Sequence, residues 1–272
     1  MFEPDWELSD FEFEFFRKLI FDLAGISLSL DKKQLVHTRI RSYAQKNGFS
    51  SFRDYIKHLK KDEIENSEIQ NFINSLTTNK TDFFRESEHF NVLRDFISDW
   101  KKKNKESFNL WCAASSTGEE PYSLSIVLNE LFKDQDYKIL ATDIDTKVLS
   151  IAQNGVYEVS KLKDIPLHYH SSAILKGRDD VRGWFKIKDE IRNRIIFKKL
   201  NLIDFDGQID EKFDVVFLRN VLIYFNRDSI ETVVNNLYKH VKPNGLLIIG
   251  FSETLSGLAT NWKFISPSVY QK

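Results

Sequence analysis

Four short stretches carry residue types that could hold a small charged ligand. The first, Leu110–Leu124, runs LWCAASSTGEEPYSL. It reads as a buried strand, a tight turn of small residues and the acidic start of a helix. Small residues let a backbone approach a ligand closely, and acidic residues with a proline suit a first helical turn. A strand–turn–helix unit of this kind is where open α/β folds hold a nucleotide-like cofactor. No G-x-G-x-x-G is present, and Glu119 and Glu120 open the helix. Their carboxylates would repel a pyrophosphate and suit a cationic or hydroxyl-rich ligand. The second stretch ends at Asp143, an acid at a strand end, placed to accept both hydroxyls of a ribose. The third is Arg219-Asn220, at the end of another strand, with Asn201 and Leu202 flanking the same crevice and able to bracket an adenine. The fourth is the polar segment 77–90, where Asn79, Thr81, Arg85 and the pair Phe83-Phe84 cluster. Its composition admits both a capped linker and part of a site. Acids near the first turn fit a sulfonium and its ammonium group, and the missing phosphate loop argues against NAD. S-adenosylmethionine is the best match.

Other chemistries find little support. His168 and His170 lack a nearby metal-ligand pattern. Ser115 and Ser116 lie outside a G-x-S-x-G elbow and have no histidine placed to activate them. There is no phosphate loop of the G-x-x-x-x-G-K type. The 272 residues carry a net charge of −1, so no global field points to nucleic acid or membrane. The 23 phenylalanines promise a substantial core, and the single cysteine, Cys112, excludes a disulfide framework and points to a reducing compartment. Met1–Glu7 has no basic region or long apolar run, so no signal peptide is expected, and no stretch approaches the ~20 apolar residues of a membrane span. The expectation is a soluble cytoplasmic protein.

These residues need elements to position them. Phe11, Phe15, Leu19 and Leu23, with Phe16 and Ile20, predict an amphipathic helix closed by Gly25. A second helix is expected from an Asp31 N-cap to about Lys46, with Asn47-Gly48 as its end and Val36, Ile40 and Tyr43 as its apolar stripe. Lys32, Arg39 and Lys46 form a basic stripe along one edge, either a solvated face or a docking face for an acidic partner. Ser50 or Ser51 caps a third helix holding Phe52, Tyr55, Ile56 and Leu59. A further helix runs to Trp100, followed by the solvated run Lys101–Lys105. From residue 108 strands and helices alternate: strands at Phe108–Ala113, Tyr137–Thr142, Ile195–Leu200, Phe213–Leu218 and Leu246–Gly250; helices at Pro121–Phe132, Thr146–Asn154 and Asp228–Val241. Pro243–Gly245 serves as an exit turn, and a terminal hairpin spans Trp262–Gln271. That rhythm predicts a doubly wound, mostly parallel α/β sheet, made mixed by the hairpin. About forty residues after Gly155 interrupt it. They predict helical structure near Pro166–Leu175 and a small inserted hairpin over 173–194, turning at Asp189-Glu190. An open hairpin edge could accept a peptide strand or be merely decorative. The expected division is a helical domain over 1–76, a linker and helix over 77–105, and a sheet domain over 106–272.

Five motifs together resemble the CheR family of chemoreceptor glutamate methyltransferases: Thr77–Arg85 (TTNKTDFFR), Ala114–Ser123 (ASSTGEEPYS), Ala141–Asp145 (ATDID), Phe213–Phe225 (FDVVFLRNVLIYF) and Lys242–Glu253 (KPNGLLIIGFSE). They occur in the family's order over most of the chain, and the helical front end resembles the family's N-terminal domain. The chain departs from the pattern at Cys112–Ser116, where many relatives have Gly and Cys further along, and at Phe251, where His is common. The resemblance implies a Rossmann-like, S-adenosylmethionine-dependent methyltransferase with an all-helical N-terminal domain and an inserted antiparallel β-subdomain. It implies methyl transfer to glutamates of chemoreceptor cytoplasmic helices, giving γ-methyl esters and S-adenosylhomocysteine. It further implies that Asn79, Thr81, Arg85, Glu119 or Glu120, Asp143, Asn201, Leu202, Arg219 and Asn220 contact the cofactor, and that Arg85 and Tyr224 face the reactive centre. Receptor helices are acidic, so Lys32, Arg39 and Lys46 are expected to dock them, with the β-subdomain as a second contact. A monomer is expected, with no nucleic-acid partner and no metal. A non-catalytic cofactor-binding adaptor and a methyltransferase for another substrate are the alternatives.

Overall fold

A computed structural model describes residues 6–61, 63–132 and 136–272. Met1–Asp5, on which part of the N-terminal sequence reading rests, lie outside the described residues. The first helix, α1, spans Asp10–Ala24. Ser9 and Glu12 form a reciprocal capping box at its start, and Gly25 ends it at φ 69°. Its buried face is Phe13, Phe16, Ile20 and Ala24, whereas Phe11 is 74% exposed. The core-facing row is therefore rotated from the expected Phe11–Leu23 row. Next, α2 spans Lys33–Lys46 after a single 3-10 turn at Leu30–Lys32. Asp31 sits inside that turn and takes the Ser29 hydroxyl, so it does not cap α2 as expected. Two shorter helices follow, α3 at Phe52–Leu59, capped by Ser51, and α4 at Asn66–Leu76. The aromatic rings of Phe16, Phe52, Tyr55 and Phe72 pack together at the centre of this helical unit. Residues 77–87 then run without a helix or strand. Helix α5 covers Glu88–Lys103, so Lys101–Lys103 form its last turn rather than a loop. Cations there complement the helix dipole.

The remainder alternates: β1 (Phe108–Cys112), α6 (Glu119–Leu131), β2 (Tyr137–Asp143) and α7 (Thr146–Asn154). After these come β3 (Val156–Glu158), α8 (His170–Ala173), β4 (Ile174–Lys176), β5 (Trp184–Ile187), α9 (Asp189–Arg192) and β6 (Ile195–Lys199). The chain closes with β7 (Phe213–Leu218), α10 (Arg227–His240), β8 (Val241–Ile249), β9 (Lys263–Ser266) and β10 (Val269–Gln271). Seven strands form one sheet in the order β6-β2-β1-β7-β8-β10-β9. All neighbours are parallel up to β8, and β10 runs antiparallel to both β8 and β9. This is the expected doubly wound mixed sheet, with its order reversing between β1 and β7. Such a reversal leaves a crevice beyond the carboxyl ends of the strands. Strand β7 is buried along its whole length. Its one acid, Asp214, is satisfied by Trp100 Nε1 at 2.8 Å, the Asn109 N–H at 2.9 Å and Lys242 Nζ at 2.9 Å.

The insertion differs from expectation. Three strands form a separate antiparallel sheet in the order β3-β5-β4. Its first strand lies upstream of the expected 173–194 range. Asp189-Glu190 does not turn a hairpin but begins the short helix α9, and Leu175 belongs to β4 rather than to a helix. Pro243–Gly245 is likewise no exit turn. It lies within β8 and is absorbed by a register shift that pairs Phe213 with Val241 and Val215 with Leu246. No helix among the described residues is long and apolar enough to cross a membrane.

Candidate active site

A cavity of about 380 Å³ opens at the carboxyl ends of β1, β2, β6 and β7. Its lining brings together Asn79, Thr81, Arg85, Glu120, Asp143, Asn201, Leu202, Arg219, Asn220 and Tyr224. The opposite wall comes from the helical unit, through Ala24, Ile26, Ser27, Leu28, Lys32 and Leu35. That wall is fastened to the sheet unit by several bonds. Ser27 N–H donates to the Tyr224 carbonyl at 2.8 Å, and Asn201 Nδ2 donates to the Leu23 carbonyl at 2.9 Å. A β-carbon at Gly25 would lie 2.5 Å from Ile203 Cδ1 and would sit on a backbone at φ 69°, so a side chain there is strained and displaces Ile203.

The floor is the turn after β1. Ser116 takes φ 47° and Gly118 φ 99°. A β-carbon at Gly118 would meet the Tyr157 hydroxyl at 2.8 Å and Ala152 Cβ at 2.9 Å. The turn thus demands glycine twice, for its backbone and for its close approach to α7. Asp143 accepts the Ser116 N–H at 2.8 Å through one oxygen and the Asp145 N–H at 2.9 Å through the other. Each oxygen keeps a lone pair for a further donor. Burial pushes the Asp143 carboxyl up to about 6, against the pull of these N–H donors and with the Asp145 charge adding to the rise. Asp145 itself caps α7 through Oδ1 and takes the Thr77 hydroxyl at 2.6 Å and Asn79 Nδ2 at 2.8 Å through Oδ2. Segment 77–81 is therefore anchored to the end of β2. The Asn79 carbonyl then accepts the Ser116 hydroxyl at 2.9 Å.

On the far side, Arg219 is almost wholly buried. Its guanidinium reaches Glu120 at 2.5 Å, the Arg85 carbonyl at 2.5 Å and Glu86 at 3.1 Å. Asn220 adopts φ 56°, and its N–H donates to Glu253 at 3.0 Å. The same carboxylate accepts the N–H groups of Leu222 at 2.8 Å and Gly250 at 2.6 Å. Burial raises the Glu253 carboxyl despite these donors. The cavity thus pairs acidic strand ends with a cationic rim at Arg85 and Lys32, and contains no paired nucleophile and base.

Family models match nearly the whole chain: "CheR methyltransferase, all-alpha domain" over residues 12–77 and "CheR methyltransferase, SAM binding domain" over 79–270. The chain belongs to the CheR methyltransferase family. It is 34% identical over 265 residues to the chemotaxis protein methyltransferase of Salmonella typhimurium, covering 97% of this chain and 90% of that protein. It is 35% identical over 261 residues to chemotaxis protein methyltransferase 2 of Pseudomonas aeruginosa, covering 95% and 92%. Magnesium protoporphyrin IX methyltransferase from Synechocystis PCC 6803, solved with bound SAH, aligns over 78% of this chain and 70% of its own at 15% identity, with a TM-score of 0.33.

The CheR cofactor is S-adenosylmethionine, and the donor set fits it. Asp143 has open acceptor positions that suit ribose hydroxyls, Glu120 lines the cavity as an acid paired on one oxygen with Arg219, and no glycine-rich phosphate cradle is present in the sequence. One expected contact lies elsewhere. Glu119 does not line this CheR cavity; it is wholly buried, takes the Thr117 hydroxyl at 2.6 Å and pairs with Lys161. Adjacent helical residues point about 100° apart, so only Glu120 faces the crevice. Arg219 reaches the cavity, but its charge is held by Glu86 and Glu120. It also donates to the Arg85 carbonyl, and it lines the cavity. The sequence reading missed Glu86, Ser116 and Asp145 as site-forming residues. Asp145 was within reach as the second acid of the ATDID motif, placed to cap α7.

Proposed function

We propose that this chain methylates glutamate side chains on the cytoplasmic helices of chemoreceptors, forming γ-methyl esters with S-adenosylhomocysteine as the second product. The observation that carries this proposal is the cavity itself: acidic strand ends on one side, Arg85 and Tyr224 on the other, and no general base between them. When bound, S-adenosylmethionine supplies an electrophilic methyl group on a sulfonium. A substrate glutamate, with a pKa near ~4.3, is already ionised at neutral pH and needs no base. The residues of the chain have only to orient and to exclude water. Asp143, Glu120, Asn79, Thr81, Asn201, Leu202 and Asn220 hold the cofactor. Arg85 donates from Nη1 to the Lys80 carbonyl at 3.3 Å and its Nε stands 3.8 Å from Glu86, which leaves Nη2 for the incoming carboxylate. The Tyr224 hydroxyl orients that carboxylate.

Receptor docking falls to the helical unit over 1–76, with 77–105 as lid and helix and 106–272 as the catalytic unit. Within the basic stripe, Arg39 is partly engaged, because Nη1 donates to the Leu76 and Thr77 carbonyls at 2.8 Å each. Lys32 pairs with Asp31 at 2.9 Å, whereas Lys46 is exposed, so Lys46 carries the most accessible docking charge of the three. The free edges of β3 and β4 offer a second contact for a receptor segment. The enzyme acts in the cytoplasm as a monomer. Incubation with methyl-labelled S-adenosylmethionine and receptor-containing membranes tests the proposal. Base-labile label on receptor protein is expected. Cofactor binding without transfer would make the chain an adaptor, and label confined to other molecules would assign a different substrate.

A further inference from the structure

Glu86 does not line the cavity, yet it joins three of the elements that build it. It follows Arg85 directly and adopts φ 53°, a left-handed conformation that is unfavourable for a non-glycine residue. Its side chain is only 14% exposed. One carboxylate oxygen accepts Asn220 Nδ2 at 3.1 Å. The other accepts the Phe251 N–H at 3.2 Å and meets Arg219 Nη2 at 3.1 Å. Segment 77–87, which carries Arg85, is thereby tied to the ends of β7 and β8. Asn220 is held from two sides, its amide by Glu86 and its left-handed backbone by Glu253. Gly250 lies against that amide so closely that a β-carbon there would stand 2.6 Å from Asn220 Nδ2. Asn220 in turn faces the cavity.

We propose that Glu86 is a positioning residue for methyl transfer, locking the Arg85 segment and the Asn220 side chain in the geometry that receives cofactor and substrate. The assignment rests on the methyltransferase reading of the same cavity. Three observations support it. Burial alone would raise the Glu86 carboxyl, but Asn220 and Arg219 outweigh that and hold it below its usual range, so it is ionised throughout the working range. The nearby His89 ring, 3.5 Å away, is pushed down to about 4 by burial and by Arg219, and stays neutral. The Asn220 amide, the Phe251 N–H, the Arg219 guanidinium and, at 3.8 Å, the Arg85 guanidinium all present donors to Glu86, so only a carboxylate satisfies them together. An amide in its place must set its NH2 against a donor. The local relief is for Asn220 to turn its own amide over, which changes what Asn220 presents to the cavity.

The test uses the full chain. Glu86→Gln is expected to weaken S-adenosylhomocysteine binding, measured by calorimetry, roughly tenfold, the scale of one charge-assisted hydrogen bond. Turnover should fall by a similar factor while the receptor KM stays unchanged. In an Asn220→Ala background the same substitution should have little further effect on binding, because its main route is removed. Should Glu86→Gln not fold, Glu86→Asp in both backgrounds carries the cycle, with a smaller loss expected because the charge is kept. Wild-type binding by a folded Glu86→Gln protein overturns the proposal. So does a loss of the same size with and without Asn220. The binding arm needs no receptor, so failure of receptor methylation alone would count against the substrate assignment and not against Glu86.

Discussion

Lowering the pH from 7 to 5 should weaken cofactor binding about tenfold, through Asp143 alone. Its carboxyl sits at about 6 because burial outweighs the two N–H donors. Ribose hydroxyls donate to the ionised form, so affinity follows the ionised fraction. With a pKa near 6, that fraction is roughly ten elevenths at pH 7 and one eleventh at pH 5, equivalent to about 1.4 kcal/mol. Calorimetric titration with S-adenosylhomocysteine at pH 5, 6 and 7, in buffers of different ionisation enthalpy, reads both the affinity and the proton released on binding. Asp143→Asn should bind more weakly at pH 7 and show no slope over this range. The sign for stability of the ligand-free protein is the opposite. The folded pKa of Asp143 lies above its ordinary value, so its contribution is fully present below about 3.8 and is lost as the pH rises through about 6. His89 opposes it: its folded value near 4 lies below the usual 6.5, so stability falls as the pH drops across that interval. A binding constant flat from pH 5 to 7, or an unchanged slope in Asp143→Asn, would refute the ribose assignment.

Arg85→Ala should lower turnover at least tenfold in a folded protein, and Tyr224→Phe several-fold, both measured as methyl transfer at saturating cofactor; full activity in either removes that residue from the reactive centre. Gly118→Ala should cost roughly 3 kcal/mol by denaturant unfolding, from φ 99° and contacts below 3 Å with Tyr157 and Ala152. An unchanged midpoint would mean that the turn is looser than described. Lys46→Glu should raise the receptor KM, more strongly at low salt, and leave cofactor affinity alone. A KM that does not move would make that end of the stripe a solvated face.

Much of the architecture was legible because its signals are local. Phe213–Leu218 is bounded by polar residues and pairs on both sides, and it matches the observed β7. Thr146–Asn154 carries an aspartate cap at one end and a left-handed glycine at the other, and α7 has those limits. The misreadings share a different cause. Strand β3 is only three residues long and pairs Val156 with Lys186, thirty positions away; nothing in its own composition announces that partner. The Leu246 strand was begun too late because Pro243–Gly245 reads as a turn, although a register shift lets β8 run through it. At the site, the sequence placed both glutamates at the start of α6 but could not give the helix its rotation, and so could not separate Glu120 from Glu119. The sequence placed Arg219 at the cavity but not its two acidic partners, because a buried arginine held by acids from distant segments has no linear signature. Glu86 went unread for the same reason.

The attachment of Ala24–Lys32 to the sheet unit bears on how far this protein can be treated as modular. In sequence the helical and catalytic parts separate cleanly near residue 78. In space they do not, since one face of the cofactor chamber belongs to the helical part. A chimera that exchanged the helical unit would also exchange the strip holding Ser27, Leu28 and Lys32 beside the cavity, and the Gly25 junction that packs on Ile203. Exchanging the helical unit is thus also an exchange of one wall of the cofactor chamber, and the strip Ala24–Lys32 has to stay with the sheet unit it packs against.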